Sequence, residues 1–307
     1  MKHYSVLKDE VIEGLNINPD GIYVDATLGY GGHSEEILKK IKKGFLFAFD
    51  QDEDAIHFSQ KRLSDISDNF DIIYSNFRML VESLNSKNIT KVDGIIFDLG
   101  LSSPQIDDIS RGFTFMYDSN LDMRMDKQAK LTAEIVVNTY SLEELTDIFF
   151  RYGEERYSKS IAKNILKKRE EKEIKTSSEL VEIIKYSVPM KYFLENHPER
   201  QIFQAIRIEV NNELEILEKA LEDAISILNT GARICVITFH SLEDRIVKHL
   251  FRKYSEINPL VKGLPVIPDE YKPLIKLINR KPILPPEKEI KENSRSKSAK
   301  LRIIERI

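Results

Sequence analysis

Apolar and polar positions change period along this chain, and the changes mark out its elements. Residues 5–15 place Val11, Ile12 and Leu15 on one helical face. Residues 21–25 read as a short buried strand. Ser34 can cap a helix over 34–42, with Glu35 and Glu36 in the first turn, where the helix dipole favours anions. The run Phe45-Leu-Phe-Ala-Phe-Asp50 predicts a second strand, 52–63 a helix, 70–74 a third strand, 78–84 a short helix and 92–98 a fourth strand. Strands alternating with helices in this way predict a parallel sheet covered on both faces.

The alternation then stops. From about 122 to 200 every periodic segment reads helical, including 154–168 and 179–187. Ser141-Leu-Glu-Glu144 and Thr176-Ser-Ser-Glu179 both fit the capping box, in which side chains at the first and fourth positions satisfy each other's backbone N–H groups. A long helix is expected over 201–228, with Gly231 as its stop. A buried strand over 232–239 and a helix over 242–251 restore the α/β pattern. Residues 262–286 are Pro-rich and read as irregular. Residues 301–307 read as a last strand, with an antiparallel direction expected. The expectation is an α/β chain: a doubly wound domain from residues 1–123 and 201–307, with an all-helical domain over 124–200 inserted into it.

Composition narrows the class. The 307 residues carry 46 Lys and Arg against 50 Asp and Glu, and 41% are apolar. Those values suit one large or two modest globular domains and exclude collagen-like, low-complexity and mostly disordered chains. No run approaches the ~18 apolar residues of a membrane span, and the first residues lack the apolar core of a signal peptide. Cys235 stands alone, so no internal disulfide is available and a cytoplasmic setting is expected. Charge is unevenly placed. Residues 262–307 hold 12 Lys and Arg against 6 Asp and Glu, a basic tail on an acidic body. It suits an anionic partner or a merely solvated surface equally.

The chemistry gathers at strand ends. Three expected strands finish in Asp25, Asp50 and Asp98, and a fourth runs into Phe239-His240. Ligands of open α/β sheets bind beyond the carboxyl ends of the strands, where the strand order reverses. The first strand is followed by Asp25-Ala-Thr-Leu-Gly-Tyr-Gly-Gly-His-Ser34, a turn whose glycines let backbone approach a ligand. Its spacing is not the dinucleotide G-x-G-x-x-G, and no basic residue stands ready for a pyrophosphate. Asp50 can accept both hydroxyls of a ribose. The combination points to a nucleoside cofactor without pyrophosphate, with S-adenosylmethionine the first candidate. Asp98 opens the loop Asp98-Leu-Gly-Leu-Ser-Ser-Pro-Gln105, where a carboxylate could aim an amine acceptor or simply cap a helix. His240 is equally a helix cap or a group that orients a base. Arg111, Phe113 and Phe115 could hold an unpaired base between a cation and rings, or belong to a core. Asp122, Arg124 and Asp126 suggest an internal salt-bridge network. No Cys/His cluster has metal-ligand spacing, and no metal is expected.

Several runs together resemble one family: His3–Leu7, Asp25–Ser34, Asp93–Gln105, Arg111–Phe115, Leu121–Asp126, Tyr152–Glu155, Phe203–Ile208, Phe239–Arg245 and Ser294–Arg302. In this order and over the whole chain they are similar to the bacterial 16S rRNA (cytosine-N4)-methyltransferases. The resemblance implies a Rossmann-like methyltransferase sheet with a helical substrate-recognition insert. It implies S-adenosylmethionine as cofactor and, as substrate, N4 of a cytidine in the decoding region of 16S rRNA within the small ribosomal subunit. It places Gly31, Gly32 and His33 at the methionine and adenosine, Asp50 at the ribose and Phe77 beside the adenine. Asp98 and Gln105 fall near the methionine end or reacting centre, and Arg295 and Lys297 in an RNA-contacting tail. A membrane partner is not expected, and a homodimer is left open. Methylation of another acceptor, or RNA binding without turnover, are the rival readings.

Overall fold

The computed structural model describes residues 5–257, 261 and 265–307. His3 and Tyr4 of the first family-like run, and Lys262 at the start of the basic tail, lie outside the described residues. The chain divides into two compact units, Met1–Gly100 with Leu214–Ile307, and Leu101–Glu213.

In the first unit the described residues build one sheet from β1 (Ile22–Asp25), β2 (Phe45–Asp50), β3 (Phe70–Tyr74), β4 (Val92–Asp98), β5 (Leu228–Thr238), β6 (Ile275–Leu277) and β7 (Lys300–Arg306). The order is β3-β2-β1-β4-β5-β7-β6. β1 to β5 pair in parallel, and β7 runs antiparallel between β5 and β6. Side chains alternate between the faces, so one run of residues feeds two cores. Val24, Phe47, Phe49, Ile95, Phe97, Ile234 and Val236 share one cluster, which helices α4 (Leu80–Ser86), α12 (Glu213–Ser226) and α13 (Ser241–Ser255) cover. Tyr23, Leu46, Ala48, Ile96, Cys235 and Ile237 share the other, under α1 (Lys8–Leu15), α2 (Gly32–Lys40) and α3 (Glu53–Ser64). Burial on both faces is why these strands read as nearly continuous apolar runs. α14 (Glu287–Glu292) precedes β7. No helix among the described residues is long and apolar enough to cross a membrane.

The second unit is helical: α5 (Ser103–Asp107), α6 (Ala133–Thr139), α7 (Leu142–Arg151), α8 (Ser158–Glu171), α9 (Ser177–Ser187), α10 (Met190–Asn196) and α11 (Pro198–Asn211). Both expected capping boxes form, at Ser141/Glu144 and Thr176/Glu179. Leu145, Phe149, Ile161, Ile165, Ile184, Ile202 and Ile206 are fully buried together.

Four expectations need correction. The helix over 201–228 is two helices, because Asn212 takes a left-handed conformation (φ 48°) that only Gly, Asn and Asp enter readily. Gly231 does not stop a helix. It lies within β5 at φ 83°, where pairing with β4 slips between Val92↔Leu228 and Gly94↔Arg233. Residues 275–277, expected to be irregular, are strand β6. The division between units falls at 100/101 and 213/214 instead of 123/124 and 200/201. Leu121 and Met123 are buried in the helical core, and so are Ile202, Phe203 and Ile206 of α11. The segments flanking the expected insert therefore belong to it by packing.

Gly94 in β4 faces the Tyr23 ring so closely that a Cβ would stand 2.7 Å from Cε1, with Leu15 at 3.3 Å behind. Tyr23 is fully buried and its hydroxyl accepts from the Asn18 N–H, so the ring cannot swing away. Gly94→Ala is expected to destabilise the first unit by about 1–3 kcal/mol through overpacking, read as a lower midpoint in urea unfolding.

Candidate functional site

The reversal of strand order lies at β1, whose neighbours β2 and β4 lead away in opposite directions. The chain after β1 is tied to both. Ala26 N–H donates to Ile96 O (2.9 Å) and Leu28 N–H to Phe49 O (2.8 Å). The Asp98 N–H donates to Thr27 Oγ1 (2.6 Å), and the Gly29 N–H to Asp50 Oδ2 (2.7 Å). Gly31, at φ 75°, then turns the chain into α2. This left-handed step is why glycine stands there.

Register separates the three strand-end acids. Asp25 pairs with Ala48 on β2 and Ile96 on β4, so Asp50 and Asp98 each project two residues past it, about 6–7 Å along the strands. Asp25 is buried, accepts from Ser34 Oγ (2.7 Å) and the Thr27 N–H (3.1 Å), and holds the turn. Burial raises its pKa. Asp50 is half-buried at the rim. Its Oδ1 accepts from the Asp52 N–H (2.9 Å), its Oδ2 from the Gly29 N–H, and the Gln51 N–H also bonds the carboxylate. Burial pushes this carboxyl up to about 6, against the backbone N–H groups that favour its charge.

Asp98 differs again. Its Oδ1 is buried with no hydrogen-bond partner, and its Oδ2 lies 3.5 Å from Nε2 of His33. His33, second residue of α2, is 4% exposed, and neither ring nitrogen makes a hydrogen bond. Burial pulls the imidazole down, but Asp98, then Asp25 and Glu289, outweigh it, so its pKa lies above the usual histidine value. Phe77 opens the turn after β3 and packs edge-on to Phe97, centroids 5.7 Å apart. Beside it Asn76 Nδ2 donates to Gln51 Oε1 (2.9 Å), linking the ends of β2 and β3. Thr27, Gln51 and Asn76 were not singled out from sequence. Only Thr27 carried a signal, as a hydroxyl inside the glycine turn.

Gln105 is buried in the second unit, where its Oε1 accepts from the Ser102 N–H (2.9 Å) and closes the capping box of α5. Arg111 is not a surface platform for a base. It is 6% exposed, and its Nη2 donates to the carbonyls of Arg124 and Met125 at 3.0 Å each. Phe113 lies 5.7 Å from that guanidinium, and Phe115 packs edge-on to Phe203 (5.3 Å), both rings against the helical core. Asp122 and Arg124 form a two-bonded ion pair. His240 caps α13: its Nδ1 accepts from the Glu243 N–H, and its Nε2 lies 3.1 Å from Glu243 Oε1. Arg295 and Lys297 are exposed in the turn before β7. Arg302, part of the basic run, faces inward and bonds Asp244 through Nε (2.7 Å) and Nη2 (3.2 Å), with Lys300 at 3.4 Å.

S-adenosylmethionine needs acceptors for two ribose hydroxyls and an apolar surface for its base. Asp50 and Phe77 offer those groups beside the glycine turn, and they fit it. The sheet is doubly wound, and the family model that the chain matches is one of S-adenosylmethionine-dependent methyltransferases. The chain matches the model of the MraW methylase family over residues 1–307, and belongs to that family of rRNA methyltransferases. Similar solved structures include an rRNA methylase from Streptococcus thermophilus, at 14% identity over 98% of this chain and 93% of that one, TM-score 0.41. They also include TrmN from Thermus thermophilus, at 10% identity over 98% and 48%, TM-score 0.44.

The Arg302–Asp244 pair joins β7 to α13 and holds the Asp244 carboxyl below the usual range, burial notwithstanding. Arg302→Ala leaves the half-buried carboxylate without its main partner and is expected to cost about 3 kcal/mol. Urea unfolding at neutral pH checks this. The loss should shrink as the pH falls through the carboxylate range, because a depressed acid contributes its stability only while ionised.

Proposed function

We propose that this rRNA methyltransferase methylates N4 of a cytidine in the decoding region of 16S rRNA, within the small ribosomal subunit and in the cytoplasm. The observation that carries the reading is the buried, unpartnered Oδ1 of Asp98 at the end of β4. The lone pair of a cytosine N4 amine is delocalised into the ring, so the amine is a poor nucleophile. A carboxylate that accepts one of its N–H bonds raises its electron density and fixes its direction. Bound S-adenosylmethionine supplies an electrophilic methyl on its sulfonium. Asp98 aims the acceptor, Asp50 holds the ribose hydroxyls, Phe77 flanks the adenine, and Gly31 and Gly32 with the backbone of His33 line the methionine and adenosine. The first unit is the methyltransferase domain and the helical unit the substrate-recognition domain. Arg295 and Lys297 contact RNA phosphate. The whole-chain family match and the order of the family-like runs support this assignment.

Small-subunit particles incubated with labelled S-adenosylmethionine should yield N4-methylcytidine on nucleoside analysis. Label in another nucleoside or in protein would overturn the assignment. Asp98→Asn keeps shape and loses charge, and turnover should fall on the order of 10²–10⁴-fold. A variant that methylates at the wild-type rate would show Asp98 to be a structural residue only.

Asp50 gives a pH test. Its carboxylate accepts from hydroxyls best when ionised, so cofactor affinity measured by calorimetry should weaken as pH falls through about 6. In Asp50→Asn the affinity should be lower and flat across that range.

A further inference from the structure

His33 has been given only a backbone role so far, yet its side chain occupies an unusual position. It is buried in the first turn of α2, where the helix dipole disfavours a cation. A histidine that merely filled a core would be neutral, with its ring N–H satisfied. Here neither nitrogen has a hydrogen-bond partner, and the nearest acceptor is Asp98 Oδ2 at 3.5 Å. Carboxylates from three elements act on the ring: Asp98 at the end of β4, Asp25 at the end of β1 and Glu289 on α14. Asp25 is already engaged by Ser34 and Thr27, and Glu289 by the Leu7 N–H at 3.0 Å. Asp98 alone of the three combines closeness to the ring with an oxygen that has no partner.

We propose that His33 is a positioning residue whose imidazolium pairs with Oδ2 of Asp98, turning that carboxylate so that Oδ1 is presented to the acceptor amine. The proposal rests on the amine-acceptor role of Asp98 given above. The bond from the Asp98 N–H to Thr27 fixes the main chain at Asp98, and His33 then fixes the carboxylate. The two oxygens then have separate tasks: Oδ2 takes the cation, and Oδ1 takes the N–H. When rising pH removes the imidazole proton, Oδ2 loses its charged partner and the carboxylate is free to rotate. The burial cost of the imidazolium is offset by the surrounding acids, which agrees with the upward direction of its pKa.

The test has two arms. In the first, the His33 ring is followed by NMR against pH in the cofactor-free protein, in wild type and in Asp98→Asn. Pairing predicts that the titration moves to lower pH in the variant, and an unmoved titration would overturn it. In the second, His33→Gln, which can donate a hydrogen bond but never a charge, is compared with wild type for cofactor affinity and for kcat across pH. Cofactor affinity should change by less than about threefold, and kcat should fall on the order of tenfold at neutral pH. The alkaline limb of the wild-type profile should disappear. A glutamine variant that keeps that limb would overturn the positioning role. The NMR arm involves no substrate. Absence of N4-methylcytidine therefore sinks the functional reading, whereas an unmoved titration sinks the pair itself.

Discussion

The turn after β1 is hydrogen-bonded to both of the strands that flank it, and the strand-end acids of the site take their positions from that fact. Thr27 binds the backbone of Asp98 on one side, while Leu28 and Gly29 bind Phe49 and Asp50 on the other. Neighbouring strands of a twisted parallel sheet diverge at their ends, and at the reversal of order nothing in the ladder itself holds the gap to a fixed width. Here three short segments of backbone and one hydroxyl set that width. Asp25, buried beneath, locks the turn against the start of α2 through Ser34.

The same two-residue difference in register sorts chemistry from support. An acid level with the last ladder pair is drawn into the core and serves as a hydrogen-bond anchor. Acids two residues further along reach the rim, where water and ligand compete for them. Their local surroundings then divide them again. Asp50 is surrounded by backbone N–H donors and suits neutral hydroxyls. Asp98 has an imidazole beside one oxygen and nothing on the other, and suits a polar N–H.

The parallel strands were legible in the sequence because burial on both faces writes a continuous apolar run, as in Phe45–Asp50. The two capping boxes were legible because they are local. The break at Asn212 was not, since helical periodicity continues across it and the left-handed residue is fixed by packing on either side. Gly231 misled for a related reason: positive φ serves a helix end and a strand irregularity alike. Candidate residues divided similarly. Strand-end acids next to a glycine turn carry a spatial meaning that topology supplies. Arg111, Phe113 and Phe115 carried composition alone, and burial decided against Arg111. The His33–Asp98 contact joins residues distant in sequence, and no spacing rule could have found it.

The position of β7 bears on how the protein is made. It is the last strand in sequence, yet it lies inside the sheet, paired to β5 along one edge and to β6 along the other. Synthesis is vectorial, so β5 emerges long before the strand that covers it. Until residues 300–306 leave the ribosome, β5 presents an open apolar edge, and β6 has no ladder to join. Exposed edges of this kind recruit other strands. The first unit thus cannot close until residues 300–306 have been made. The helical unit does not wait for that strand: all of its elements are contiguous in sequence, and its core can assemble while the residues after it are being translated.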